Sequence, residues 1–289
     1  MAQSLLFIHA LTPLHAGTGQ GVGAIDLPIQ RERATNLPLL PGSTIKGCLR
    51  DSMEKDPLRD VLFGTASNED TTAGMLHISD ASLLLFPVRC LGATFVWATS
   101  PFLLRRFSRV ALAAGAAGLP GVPVVNDESA AMASHDATVK LDGKPRLILE
   151  DLDFDPGSGP SAEAQQWCDW LSSRIFPANN DPWRDEMKKR FAIVDDKSFD
   201  FLAEFATEVA AHIRIDQAKG TVEDGALWYQ EALPAESILA GLLQVDQPRR
   251  AGLPGAAALL DAVNENGNIQ FGGKASTGMG FARFVPSKV

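Results

Sequence analysis

The sequence predicts an α+β fold, an antiparallel sheet with helices on one face. Three observations carry that expectation. The chain opens on an apolar run, residues 5–8, that reads as a buried strand. Strand-like and amphipathic helical patterns then run in the order strand, helix, strands, helix, and strands around another helix. The composition, 45% hydrophobic and 21% charged over 289 residues, is that of a globular chain long enough for one full core.

The elements follow in order. A glycine-rich loop, AGTGQGVGA, succeeds the first strand, and IDLPIQR reads as a second, short strand. In LPLLPGSTIKGCLRDSMEK, Pro41 and Gly42 punctuate and Ser43 suits a helix N-cap. Ile45, Leu49 and Met53 recur at helical spacing, so a helix is expected over 44–55. The polar stretch 65–72 reads as a surface loop. GMLHISDASLLLFPV and GATFVWAT read as strands, and 102–114 as a helix. Residues 116–145, rich in Gly, Pro, Ala and Asp, read as an irregular insertion. RLILEDLDFD is strand-like, and helical patterns cover 161–175 and 182–190. After FAIVDD, residues 198–210 form an amphipathic pattern with Phe201, Leu202, Phe205 and Val209 on one face. HIRID, a turn at Lys219 and Gly220, LWYQEALP and SILAGLLQV read as strands and their connections. A helix around 255–264, the strand NIQFGG, the loop KASTGMG and the strand FARF close the chain, with no internal repeat. This order suits a ferredoxin-like arrangement.

Composition also excludes. No apolar run approaches the roughly 20 residues of a membrane-spanning helix. The first residues lack the basic flank of a signal peptide, and Cys48, Cys90 and Cys168 stand too far apart for a zinc site or disulfide framework. The expected compartment is a reducing cytoplasm. A net charge of −9 opposes indiscriminate coating of nucleic acid, although a local positive groove is compatible with it.

Three segments carry candidate chemistry. In HAGTGQGVGAIDLPIQRE, four glycines before Asp26 allow close approach of a ligand, but a strand-connecting loop with a solvated aspartate has the same pattern. In PGSTIKGCLRD, a helix start offers free N–H groups to an anion, with Ser43 and Lys46 on one face of the first turn. Lysine there opposes the helix dipole. A bound phosphate would explain it, and so would a surface lysine that tolerates a cost of a few tenths of a kcal/mol. In FGGKASTGMGFARF, Gly272, Gly273, Gly278 and Gly280 bracket Lys274, Ser276 and Thr277. The spacing is neither a Walker A loop nor a dinucleotide fingerprint. It leaves a glycine-rich hairpin or a backbone-rich loop running beside phosphates.

Together these segments, with IRIDQAKGTVEDGALWYQEALP, resemble the RAMP superfamily of CRISPR proteins, and most specifically the backbone subunit of the type III-B (Cmr) complex. The matching segments cover about a third of the chain, in family order; the pairing of IDLPIQR with PGSTIKG is the most specific. The resemblance implies one RAMP domain over 1–289: a modified ferredoxin-like (RRM-related) palm, inserted lobes at about 56–73 and 116–190, and a thumb hairpin near 213–227. It implies copies stacked along a guide RNA with other subunits of the effector, and a complementary target RNA that is cut. Asp26 matches the catalytic aspartate by its setting before LPIQR, and would also be the metal ligand. Gly42, Ser43 and Lys46 match the guide-binding helix start, with Arg50 on the same helix. Arg214 and Lys219 of the thumb and the terminal loop complete the expected RNA contacts. His15, Tyr229 and Glu231 match positions lining the cutting region.

The chemistry fits these residue types. RNA carries its own nucleophile, the 2′-OH, so the protein contributes geometry and a carboxylate that binds a divalent metal or takes the proton. One carboxylate suffices for a hydrated Mg²⁺ (or Mn²⁺), which keeps most of its water. His15 has the intrinsic pKa of an acid or base near neutrality. Rival readings are a RAMP endonuclease that processes precursor guide RNA, a non-catalytic guide scaffold, and an ordinary α+β enzyme with a phosphate loop.

Overall fold

A computed structural model describes residues 1–19, 21, 23–54, 56–66, 71–125, 127–134, 137–248, 252–265 and 267–288. The first half holds β1 (Ala2–Ala10), β2 (Leu39–Leu40), α1 (Gly42–Ser52), α2 (Arg59–Phe63), β3 (Gly64–Ala66), β4 (Thr71–Ala73), β5 (Leu76–Ile78), β6 (Ala81–Cys90), β7 (Thr94–Thr99) and α3 (Pro101–Ala113). Next come β8 (Ala131–Ala133), β9 (Val139–Leu141), β10 (Lys144–Leu149), β11 (Leu152–Phe154), α4 (Ala162–Ile175), α5 (Pro182–Lys189), β12 (Phe191–Val194) and α6 (Asp196–Phe205). The chain closes with β13 (Glu208–Asp216), β14 (Thr221–Ala232), β15 (Ile238–Val245), α7 (Ala256–Asn264), β16 (Asn268–Gln270) and β17 (Phe281–Lys288).

The fold is α+β, around a mixed sheet whose main path is β16-β17-β1-β15-β6-β7-β12-β8. Most neighbours are antiparallel, but β7 and β12 run parallel. That departs from the expected antiparallel sheet, because α3, α4 and α5 lie in the long crossover between those two strands. The helices also cover both faces, not one. Leu5 and Phe7 of β1 join Leu104, Phe107, Trp167, Leu171 and Met187 of α3, α4 and α5. Leu6, Ile8 and Ala10 point the other way and join Ile45, Leu49, Phe199, Leu202, Leu259 and Val263 of α1, α6 and α7. Successive side chains of a strand face opposite sides, so an unbroken apolar run demands cover on both.

Local signals set the helix starts. Ser100, Ser161 and Asp195 accept N–H groups of the first turns of α3, α4 and α6. Helix α1 departs from expectation: Pro41, not Ser43, is its N-cap, and it runs 42–52 rather than 44–55. Helix α6 ends at Phe205, so the pattern over 198–210 does not stay helical. The ladder from Glu208↔Ala232 to Asp216↔Thr221 takes the backbone groups a longer helix would use. The core face keeps Leu202 of the expected stripe, with Phe199 and Ala203 beside it, whereas Phe201, Phe205 and Val209 are exposed and the two phenylalanines rest on each other.

The hairpin of β13 and β14 is a two-stranded sheet apart from the main one, and it exceeds the expected 213–227 at both ends. Its register shifts between Ile213 and Ile215. IDLPIQR forms no strand but an extended segment with isolated bridges, Leu27↔Gln230, Gly17↔Ile29 and Arg31↔Pro38. Within 65–72, Thr65 pairs with Thr72 across the β3–β4 ladder, and residues 67–70 lie outside the described residues. Residues 116–145 include β8 and β9, and RLILEDLDFD splits into β10 and β11. Among the described residues, no helix is long and apolar enough to cross a membrane.

Candidate active site

Asp26 sits on the extended segment that follows the first glycine-rich loop, of which residues 20 and 22 are outside the described residues. This segment lies along β14: the Leu27 N–H donates to the Tyr229 carbonyl and the Glu231 N–H to the Leu27 carbonyl, both at 3.0 Å. The exposed Asp26 carboxylate accepts the Tyr229 N–H through Oδ2 at 2.7 Å. Tyr229 therefore contributes its backbone, and its ring stands largely exposed on the opposite face of β14 from Trp228.

A cleft of about 440 Å³ opens beside Asp26, bordered by Arg214 and Trp228 of the hairpin and Lys274 of the terminal loop. Arg214 is held loosely, 3.6 Å from Glu223. Lys219 is not among the lining residues; it lies at the hairpin turn, 3.6 Å from Asp216. The structure thus brings Asp26, Arg214 and Lys274 to one opening and leaves Lys219 out of it.

His15 and the terminal loop are fastened together behind that opening. His15 is buried, and its Nδ1 donates to the Glu231 carbonyl at 2.7 Å. In the neutral ring this leaves the lone pair on Nε2. The His15 carbonyl accepts the Gly273 N–H at 3.0 Å, and the Gly280 N–H reaches the Pro13 carbonyl at 2.8 Å. Gly272 has φ +73°, and a Cβ there would stand 2.3 Å from the His15 carbonyl oxygen, so only glycine fits. Lys274 is left-handed, followed by a single 3₁₀ turn, Ala275–Thr277, that ends at Gly278; Thr277 Oγ1 donates to the Lys274 carbonyl at 2.9 Å. Ser276 and Thr277 are exposed.

Glu231 departs from a place in the cleft. Its carboxylate is 3% exposed and accepts three groups: the Ile29 N–H at 3.0 Å, the Arg31 guanidinium at 2.6 Å and the Thr207 hydroxyl at 3.0 Å. It ties the segment carrying Asp26 to β14, and does not line the opening.

The α1 residues form a separate groove. Lys46 and Arg50 border it with His77 and the β3–β4 hairpin. The Lys46 ammonium donates to the Leu76 carbonyl at 3.1 Å, a protein partner that accounts for a lysine in the first turn. The helix start is also less open than the sequence suggests, because Asp80 Oδ1 accepts the Gly42 N–H at 2.8 Å. A Cβ on Gly42 would lie 2.6 Å from the Ile78 carbonyl oxygen, which fixes glycine there. Ser43 is exposed. On the same helix, the Cys48 thiol is pushed up by burial, with the Gly272 backbone of the terminal loop drawing it partly back.

Sequence reasoning missed Trp228, Arg31 and Thr207. Only a cross-strand register would have revealed Trp228 beside Arg214. The buried partners of Glu231 come from two distant segments, Ile29 with Arg31 and, far along the chain, Thr207.

Comparison with known proteins bears on this geometry. The model of the RAMP superfamily matches residues 7–283. A "CRISPR system Cmr endoribonuclease Cmr4" of Pyrococcus furiosus is 32% identical, over 100% of this chain and 97% of its own. The crystal structure of oligomeric Cmr4 from Pyrococcus furiosus superposes with a TM-score of 0.74 at 26% identity, covering 100% of this chain and 99% of that one. A subunit of the type III-B Cmr-beta complex bound to cognate target RNA, solved by cryo-EM, has the same fold, with a TM-score of 0.72 at 20% identity over 99% of this chain and 97% of that one. By a family match that spans nearly its whole length and a relative aligned end to end, the chain belongs to the RAMP superfamily.

Proposed function

We propose that this chain is the backbone subunit of a type III-B CRISPR effector, holding a guide RNA in a stack of its own copies and cutting complementary target RNA. The observation that carries the reading is Asp26, clamped by the Tyr229 N–H at a cleft that also presents Arg214 and Lys274. Full-length similarity to a Cmr endoribonuclease supports the reaction class. In this reading the sheet and its helices contain a modified ferredoxin-like palm, the β13–β14 hairpin is the thumb, and residues 56–73 and 116–190 are inserted lobes. The Lys46–Arg50 groove, with Ser43, takes the guide backbone. Further subunits of the effector complete the assembly in the cytoplasm.

The residues define a division of labour. Lys274 and Arg214 hold the target phosphate by charge. In-line attack by the 2′-OH forms a bond to phosphorus as the 5′-oxygen leaves. Asp26 faces this exchange either as acceptor of the 2′-OH proton or as ligand to an ion. His15, fixed through Nδ1, holds the terminal loop that carries Lys274. A divalent ion, Mg²⁺ or Mn²⁺, is part of the proposal. Among the described residues no three His, Cys, Asp or Glu side chains cluster to hold one. A single exposed carboxylate fits one contact to a hydrated ion, with RNA oxygens as further ligands. When bound, the ion supplies charge neutralisation at the phosphate.

Asp26→Asn tests the reading. The assembled complex should keep its guide and its target affinity and lose cleavage. Full-rate cutting by that complex would leave the chain a scaffold, and cutting of repeat RNA by the isolated chain would favour the processing enzyme.

A further inference from the structure

Trp228 has no task in the arrangement above. Its neighbours on β14 do: Tyr229 clamps Asp26, and the Gln230 side chain reaches Met279 of the terminal loop. Side chains alternate along a strand, so Trp228 and Gln230 share the face turned toward that loop. Trp228 is paired across the hairpin with His212, and the two rings lie stacked, 5.6 Å apart and 17° from parallel. Arg214 is two residues further along β13 and borders the same cleft. Trp228 is half-buried and lines the opening with Asp26 and Lys274.

Core tryptophans in this chain look different. Trp97, Trp167 and Trp170 are buried and donate their indole N–H groups to backbone carbonyls at 2.9 to 3.3 Å. Among the described residues, the Trp228 N–H has no acceptor. Its ring is held by stacking on His212, and it lines a cleft that contains one carboxylate and two cations. Cations beside an aromatic ring at the same cleft are what a nucleotide requires, charge for its backbone and a plane for its base.

We infer that Trp228, backed by His212, is a stacking platform for a nucleobase of the RNA strand being cut. The base is the one adjoining the phosphate that Lys274 and Arg214 hold beside Asp26. The platform positions that phosphate against the carboxylate and does not choose among bases, since every base offers a π-face. This rests on the proposed cutting reaction.

The test uses the reconstituted effector complex and single-turnover cleavage of two targets, one intact and one abasic at the nucleotide adjoining the cut. Trp228→Ala should slow cutting of the intact target by roughly 5- to 150-fold, and Trp228→Phe should keep most of the rate. The abasic target should slow the unaltered complex by a similar factor and the Trp228→Ala complex hardly further. Losses that multiply, or an intact target cut at full rate by Trp228→Ala, overturn the platform. If Trp228→Ala does not assemble, Trp228→Leu retains apolar volume over His212 and takes its place. A second measurement uses Asp26→Asn complexes with 2-aminopurine at that nucleotide. Its emission should rise when Trp228 is replaced by Leu, and unchanged emission overturns the inference. The parent reading is separable. An Asp26→Asn complex that still cuts removes the cutting assignment, whereas an inert one with multiplicative Trp228 losses removes the platform alone.

Discussion

Glu231 offers the sharpest separation between holding a site and working in it. Removing its carboxylate by Glu231→Ala strips Arg31 of its charge partner and leaves the Ile29 N–H and the Thr207 hydroxyl without their acceptor. Breaking a buried ion pair from one side costs about 3–5 kcal/mol. The Arg31 side chain is 15% exposed and recovers some hydration, so about 2–4 kcal/mol is expected here. For a chain of this length that is roughly a 4–8 °C drop in Tm. Glu231→Gln is milder, since an amide oxygen in the place of Oε1 still accepts the Arg31 and Thr207 groups. A double-mutant cycle with Arg31→Met should return a coupling of about 1.5–3 kcal/mol. The decisive assay is single-turnover cleavage by assembled Glu231→Gln complexes, expected within about threefold of the unaltered rate. A general acid or base replaced by its amide loses about 10²–10⁴-fold. A loss of that size, with Tm unchanged, would refute the positioning role and return Glu231 to the chemistry.

Lys46→Ala should weaken guide binding and make its salt dependence shallower by about 0.7 in the slope of log K against log salt. An unchanged slope, measured by titration at several salt concentrations, would remove Lys46 from the guide contacts. Gly272→Ala should destabilise the terminal loop by about 1–3 kcal/mol from its backbone conformation alone, before the clash with the His15 carbonyl. Denaturant unfolding at unaltered midpoint would contradict it. Glu32 responds to acid. Burial raises its pKa, but hydrogen bonds from Arg106, Thr35 and Ser82 and the Arg106 charge outweigh burial and hold it below the ordinary value. A depressed folded pKa contributes stability that is fully present above the unfolded value, about 4.3, and is lost as pH falls through the folded one. Glu32→Gln should therefore flatten the acid limb of a stability–pH profile, and an unchanged limb would show that the pair contributes nothing.

The sequence made the elements legible where their patterns were local. The periodicity of Ile45, Leu49 and Met53 located α1, and the run at residues 5–8 located β1. The same run held an unused signal, because four successive apolar residues cannot all face one core. Reading it so would have put helices on both faces. Long-range terms decided the rest. Phe201 and Phe205 fit a helical stripe, yet the competing ladder with β14 ended the helix, and no window of local residues contains that partner. At the site, Asp26, Lys46 and the terminal loop were marked by their motifs. The shared opening of Asp26, Arg214 and Lys274 depends on three segments widely separated in the chain. Glu231 is placed at the cutting region by the resemblance, which carries over a position in the chain and not the direction of its carboxylate.

β1 lies between β15 and β17, so it is made on the ribosome long before either of its neighbours. At about 5–20 residues per second, it waits roughly 10–50 s for β15, with both hydrogen-bonding edges unpaired. Pairings of such long separation form slowly and expose edges to aggregation. The order also has a protective side. A nascent chain holds Asp26 well before Lys274 and the glycines that lock onto His15 are made. The cleft is therefore completed only once Lys274 is made, and a chain interrupted before it carries the carboxylate with at most one of the two cations, Arg214, that would bring a phosphate to it.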